Sequence, residues 1–236
     1  GALQIISAVV FLVCFTVYVA SGFVAGANVF NSIFGVEKNV AMLIFAAVLI
    51  VYTFLGGFKA VCWTDFFQGI LMLVAVLAIP IMIVATEDID PAKLSTAYTY
   101  MDGGKEVVCN FTTSFFSASP AEIASGLAWG LGYFGMPHIL VRFMSIKKTS
   151  MIKKSATVAI VWVVLSLVAT ILIAYFGRIL LADKLLPTGQ QATVFIEFAR
   201  RLFPSFIAGL LLSAIIAASM STADSQLLVA SSSFTS

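Results

Sequence analysis

Three groups of residues in this chain have the types and spacing to hold a small solute or an ion. Trp129 and Tyr133 stand one helical turn apart in the stretch GLAWGLGYFGMPHILVRF at 126–143. That spacing puts an indole and a phenol, each an apolar body with one polar group, on a single face. Pro137 follows them, and Gly126, Gly130, Gly132 and Gly135 lie around them, so a continuous helix is disfavoured here. In hydrocarbon such a break survives only where its freed backbone groups face protein, water or a ligand. Broken helices near the bilayer midplane are the usual build of a transporter binding site.

The second group is Ala218, Ser221 and Thr222, at i, i+3 and i+4 on one helix face. Two hydroxyl oxygens and the spare lone pair of a helix carbonyl make half a shell for a hard cation, and neutral ligands of this kind suit sodium. The same hydroxyls could instead bond back to carbonyls one turn earlier in a closely packed helix; spacing alone leaves both readings open. The third group is a pair of carboxylates, Asp65 and Asp224, placed for an ion pathway. Asp65 also reads as a favourable charge in the first turn of a helix, and Asp224 as a hydrated residue at the inner mouth.

Other polar residues are less telling. Tyr18, in the middle of the first apolar span, needs a partner for its hydroxyl in lipid, either another helix or a solute. His138 has no cysteine or carboxylate at ligand spacing and reads as a packing residue. Gly22 and Gly26 form a GxxxG pair suited to close helix packing. Cys14, Cys62 and Cys109 fit neither a disulfide framework nor a metal spacing. Asn110-Phe111-Thr112 is a glycosylation sequon, useful only on a eukaryotic secretory route and best read as chance. No nucleophile–base pair, metal cluster or phosphate loop is found, which disfavours an integral-membrane enzyme.

The elements that must position these groups are set by composition. Of the 236 residues 61% are hydrophobic and 10% charged, against roughly 45–50% and 25% in soluble domains. With a mean hydropathy of +1.09, one soluble core cannot bury this surface, so lipid is the solvent. A net charge of +2 gives no case for nucleic acid. Six apolar spans are predicted as transmembrane helices in an all-α membrane fold, at about 3–30, 40–55, 66–85, 124–146, 155–181 and 205–233. A polar, acidic loop at 86–120 separates the third span from the fourth. Lys147, Lys148, Lys153 and Lys154 fill the short loop after the fourth. Cations in short loops mark the cytoplasmic side, so the lysine loop is expected inside and the 86–120 loop outside. The segment 192–203 has helical apolar spacing but is too short to span, and is expected to lie along the outer surface. Gly1 at the start, and a small-residue helical pattern running into Ser236, predict a fragment of a longer protein.

Four stretches together resemble the sodium/solute symporters: FTVYVASGFVAGANVF at 15–30, YTFLGGFKAVCWTDFFQ at 52–68, the 126–143 stretch, and SAIIAASMSTADSQLLVASS at 213–232. The likeness covers nearly the whole chain in order and fails mainly in the outer loop. GGF-x-AV-x-WTD is highly specific for the family, and WGLGYFG-x-PHIL narrows the likeness toward its proline carriers. The resemblance implies a leucine-transporter-type fold of two inverted five-helix repeats, of which the chain would hold the family's fourth to ninth helices. It implies that Trp129, Tyr133, Pro137 and Tyr18 face the solute. Ala218, Ser221 and Thr222 would bind Na+, and Asp65 would serve its passage. The implied activity is sodium-coupled symport of a small solute, proline first, across a plasma or inner membrane. Met136, where proline carriers have glutamine, keeps pantothenate, another amino acid or a small carboxylate in play. The helix bearing partner sodium ligands would lie upstream of Gly1. A membrane sensor domain, feeding a signalling module after Ser236, is the reading from another class.

Overall fold

A computed structural model describes residues 2–102, 105–109 and 118–235. The chain is built from α1 (Ala2–Phe34), α2 (Lys38–Thr86), a hairpin of β1 (Tyr98–Asp102) and β2 (Lys105–Cys109), α3 (Pro120–Gly132), α4 (Pro137–Met144), α5 (Met151–Leu180), α6 (Ala182–Leu185), α7 (Val194–Leu202) and α8 (Ser205–Thr235). Among the described residues four helices are long and apolar enough to cross a membrane, at Ile5–Phe34, Lys38–Thr86, Met151–Leu180 and Ser205–Ser233. This is a helical membrane protein; among the described residues the small hairpin departs from the all-α expectation. The sequon at Asn110 lies outside the described residues.

The second and third predicted spans form one element. At about 1.5 Å per residue α2 would run about 73 Å, more than twice the roughly 30 Å hydrocarbon core. It is interrupted at Gly57, whose φ of 56° and ψ of −157° are not helical. Those angles suit only glycine. Limbs at 38–56 and 58–86 result. The fourth predicted span is likewise divided. Met136 is extended (φ −75°, ψ 116°), as the residue before Pro137 must be, and a 3-10 turn at Tyr133–Gly135 joins α3 to α4. Gly126 and Gly130 stay inside α3, so the break is narrower than the glycine pattern suggested.

The chain forms two compact units. One comprises Gly1–Met72 and Gly209–Ser236. Its core joins α1, α2 and α8 through Phe45, Leu49 and Ala223, with Phe23, Tyr52, Ile216, Met220 and Leu227 packed around them. The GxxxG pair packs closely, as expected. A Cβ on Gly26 would fall 2.7 Å from the Phe45 ring, and one on Gly22 would meet Ala223 at 3.5 Å. α1 ends where Gly35 turns left-handed (φ 68°) and Asn31 Nδ2 donates to Val36 O at 2.6 Å.

The other unit is Leu73–Ala208. In it α7 packs on the end of α5, with Val194 and Phe198 against Gly177 and Phe198 and Ala199 fully buried. The apolar face of α7 is therefore covered by protein. Arg201 forks onto Glu87 (Nε to Oε1 3.0 Å, Nη2 to Oε2 2.5 Å), and Lys184 pairs with Glu197. Buried Arg178 donates to Thr96 O at 2.7 Å and lies 4.4 Å over the Tyr98 ring, holding the hairpin to α5. Burial, then a hydrogen bond to Asp183, raises the Tyr98 phenol above its ordinary range. α3 starts on a capping box. Ser119 Oγ accepts from the Glu122 N–H at 3.3 Å, and Glu122 Oε2 accepts from the Ser119 N–H at 2.7 Å. That backbone N–H holds the Glu122 carboxyl below the usual range.

Candidate functional site

On α8 the three residues expected to take a cation lie together. Ser221 Oγ and Thr222 Oγ1 both donate to Ala218 O, at 3.0 and 3.2 Å. Ser221 is half-buried and Thr222 exposed. The carbonyl thus already receives hydroxyl protons, which is the back-bonded arrangement that the sequence left open. For these three oxygens to share a cation, both hydroxyls must turn their protons away from Ala218 O. That rotation is inexpensive, because a hydroxyl hydrogen moves about a single bond.

One turn further along α8 the two predicted carboxylates meet. Asp224 has no exposed surface. Tyr52 OH donates to its Oδ2 at 2.5 Å. Ser225 Oγ lies 3.2 Å from Asp65 Oδ2 and 3.3 Å from Asp224 Oδ1, bridging the pair. Asp65 sits about two turns into the second limb of α2 and not at a helix start, so it is no N-terminal cap. Asp224 is enclosed, not hydrated at a mouth. The buried oxygen Gln226 Oε1 has no hydrogen-bond partner among the described residues.

The expected solute residues are placed differently. Trp129 on α3 is 67% exposed and Tyr133, at the break, 50%. Pro137 opens α4. Tyr18 on α1 is 44% exposed. The two aromatics are therefore presented at a backbone break, free to be covered by something else. Sequence reasoning missed Tyr52 and Ser225. The missing signal was chemical: a carboxylate at membrane depth requires donors, and a tyrosine near the end of an apolar helix is a natural one.

Comparison with known proteins shows the family. The model of the sodium:solute symporter family matches residues 2–236. The chain belongs to that family. Among similar proteins, the sodium/proline symporter of Haemophilus influenzae is 42% identical over 239 residues, covering 99% of this chain and 46% of that protein. Sodium/proline symporter 2 of Staphylococcus saprophyticus is 40% identical over 236 residues, covering 99% of this chain and 44% of its own length. The Staphylococcus aureus sodium/proline symporter is 40% identical over 235 residues, with 100% and 44% covered. This symporter-family chain thus spans less than half the length of these relatives. No solved structure matches it significantly.

Proposed function

We propose that the protein carries out sodium-coupled secondary active symport of a small solute, L-proline first, by alternating access. The observation that carries this reading is the oxygen cluster of Ala218, Ser221 and Thr222 on α8, in a chain whose named relatives are sodium/proline symporters. Sodium binds on that face and stabilises an outward-open state. Proline docks against Trp129, Tyr133, Pro137 and Tyr18, its apolar ring on the aromatic wall. Asp65 and Asp224, the two carboxylates near Ser225 Oγ, line the way by which sodium passes inward.

The architecture that goes with this is six crossings, with α2 crossing twice and α3–α4 once through the break, as part of two inverted five-helix repeats. The lysine loop at 147–154 faces the cytoplasm and the 86–120 loop the outside of a plasma or inner membrane. Remaining parts of both sites come from other helices of the same polypeptide. A monovalent ion moving down about 100 mV releases roughly 2.3 kcal/mol, enough for about fiftyfold accumulation of a neutral zwitterion at one-to-one coupling.

The test is uptake by the intact protein in proteoliposomes, with and without a sodium gradient, across proline, pantothenate, other amino acids and small carboxylates. Proline accumulation should require sodium, and Thr222→Ala should lose sodium-driven uptake while the protein stays inserted. Sodium-independent proline uptake, or unchanged sodium dependence in Thr222→Ala, would remove the ion assignment.

A further inference from the structure

The break in α2 turns on a single residue. Gly57 alone leaves the helical region, and a Cβ placed on it would meet nothing within 4 Å. Beside it the limbs approach closely, since a Cβ on Gly56 would fall 2.1 Å from the Ala60 Cβ, and contacts further along each limb add to what sets their angle. Within the same unit, α8 holds both sides. Tyr52, on the limb before Gly57, donates to Asp224 Oδ2 at 2.5 Å. Asp65, on the limb after it, lies 3.2 Å from Ser225 Oγ. Asp224 and Ser225 are adjacent and are themselves joined at 3.3 Å. Two neighbouring residues of one helix thus grip the two limbs of another.

The same stretch of α8 carries the oxygen face. Ser221 precedes Asp224 by three positions and Ser225 by four, so all three share one stripe of the helix. We infer that Tyr52 and Ser225 are positioning residues that couple the Ala218–Thr222 face of α8 to the angle at Gly57. This rests on the sodium reading of that face. Binding a cation there turns the Ser221 and Thr222 hydroxyls away from Ala218 O and resets this turn of α8. The next turn, gripping both limbs, transmits the change to α2. A helix that was continuous at Gly57 would not respond, and a limb free of α8 would not receive the signal. Coupling of this type between sites is commonly worth a 5- to 150-fold effect on affinity.

The experiment measures the limb angle directly. The intact protein, with Cys14, Cys62 and Cys109 replaced by alanine, takes nitroxide labels at Val48→Cys and Ile70→Cys. Both positions are exposed, one on each limb. Sodium added to this protein in nanodiscs should shift the distance between labels. Tyr52→Phe, which removes only a hydroxyl, and Ser225→Ala should each still bind sodium but lose most of the shift. In uptake assays both should raise the sodium concentration for half-maximal transport about tenfold, with the maximal rate changed far less. A purely structural role would lower the maximal rate and leave the remaining molecules with normal sodium half-saturation. A sodium shift that survives in both variants, or sodium binding to the wild type with no shift, overturns the coupling while leaving the sodium face intact. Sodium binding that is unchanged in Thr222→Ala overturns the face itself, and the coupling with it.

Discussion

A carboxylate with no exposed surface is costly unless donors surround it, and Asp224 has two hydroxyls within reach, Tyr52 and Ser225. Replacing it by leucine would leave the half-buried Tyr52 hydroxyl without its acceptor. Asp224→Leu should therefore destabilise the protein by about 1–3 kcal/mol, read as a lower Tm in detergent. Asp224→Asn keeps an acceptor for Tyr52 and should cost clearly less. The sequence located Asp224 at membrane depth but not its donor. Tyr52 lies 172 residues away along the chain, and a pairing across that distance leaves no trace in periodicity or composition. The α8 oxygens were legible for the opposite reason: their spacing is local, and helix geometry alone brings i, i+3 and i+4 together.

Helices of this chain meet through small residues at defined points, and the consequences differ even within one motif. Gly26 faces the Phe45 ring at a distance no Cβ can take, while a Cβ on Gly22 would meet Ala223 at an ordinary contact distance. Gly26→Ala should cost about 1–3 kcal/mol through overpacking, and Gly22→Ala should be close to neutral; thermal unfolding of the two variants compares them directly. The glycine spacing announced close packing but could not rank the pair, since the ranking depends on which side chain stands opposite. Other elements were readable to different depths. The break before Pro137 was legible because proline and the residue ahead of it have few backbone options. The turn at Gly57 was read as a connection, and its φ and ψ show that one glycine suffices. The burial of α7 was not legible, because an amphipathic helix looks alike whether its apolar face meets lipid or the Gly177 region of α5.

At the scale of the molecule, the apolar composition alone makes the membrane setting plain. The orientation rests on charge asymmetry and can be checked independently. A cysteine at Lys148→Cys should react with an impermeant maleimide only from the cytoplasmic side, and one at Lys93→Cys only from outside; both positions are exposed. Labelling of Lys148→Cys from outside would invert the topology. The 160 and 172 residues that separate Asp65 from Ser225 and Tyr52 from Asp224 also set a clock for biogenesis. Ribosomes add about 5–20 residues per second, so α2 enters the bilayer roughly 8–35 s before α8 exists to receive its polar groups. During that interval the nascent chain must keep Tyr52 and Asp65 near the translocon or its water. Slowed synthesis of the intervening residues would lengthen the period in which membrane proteases meet an unfinished protein.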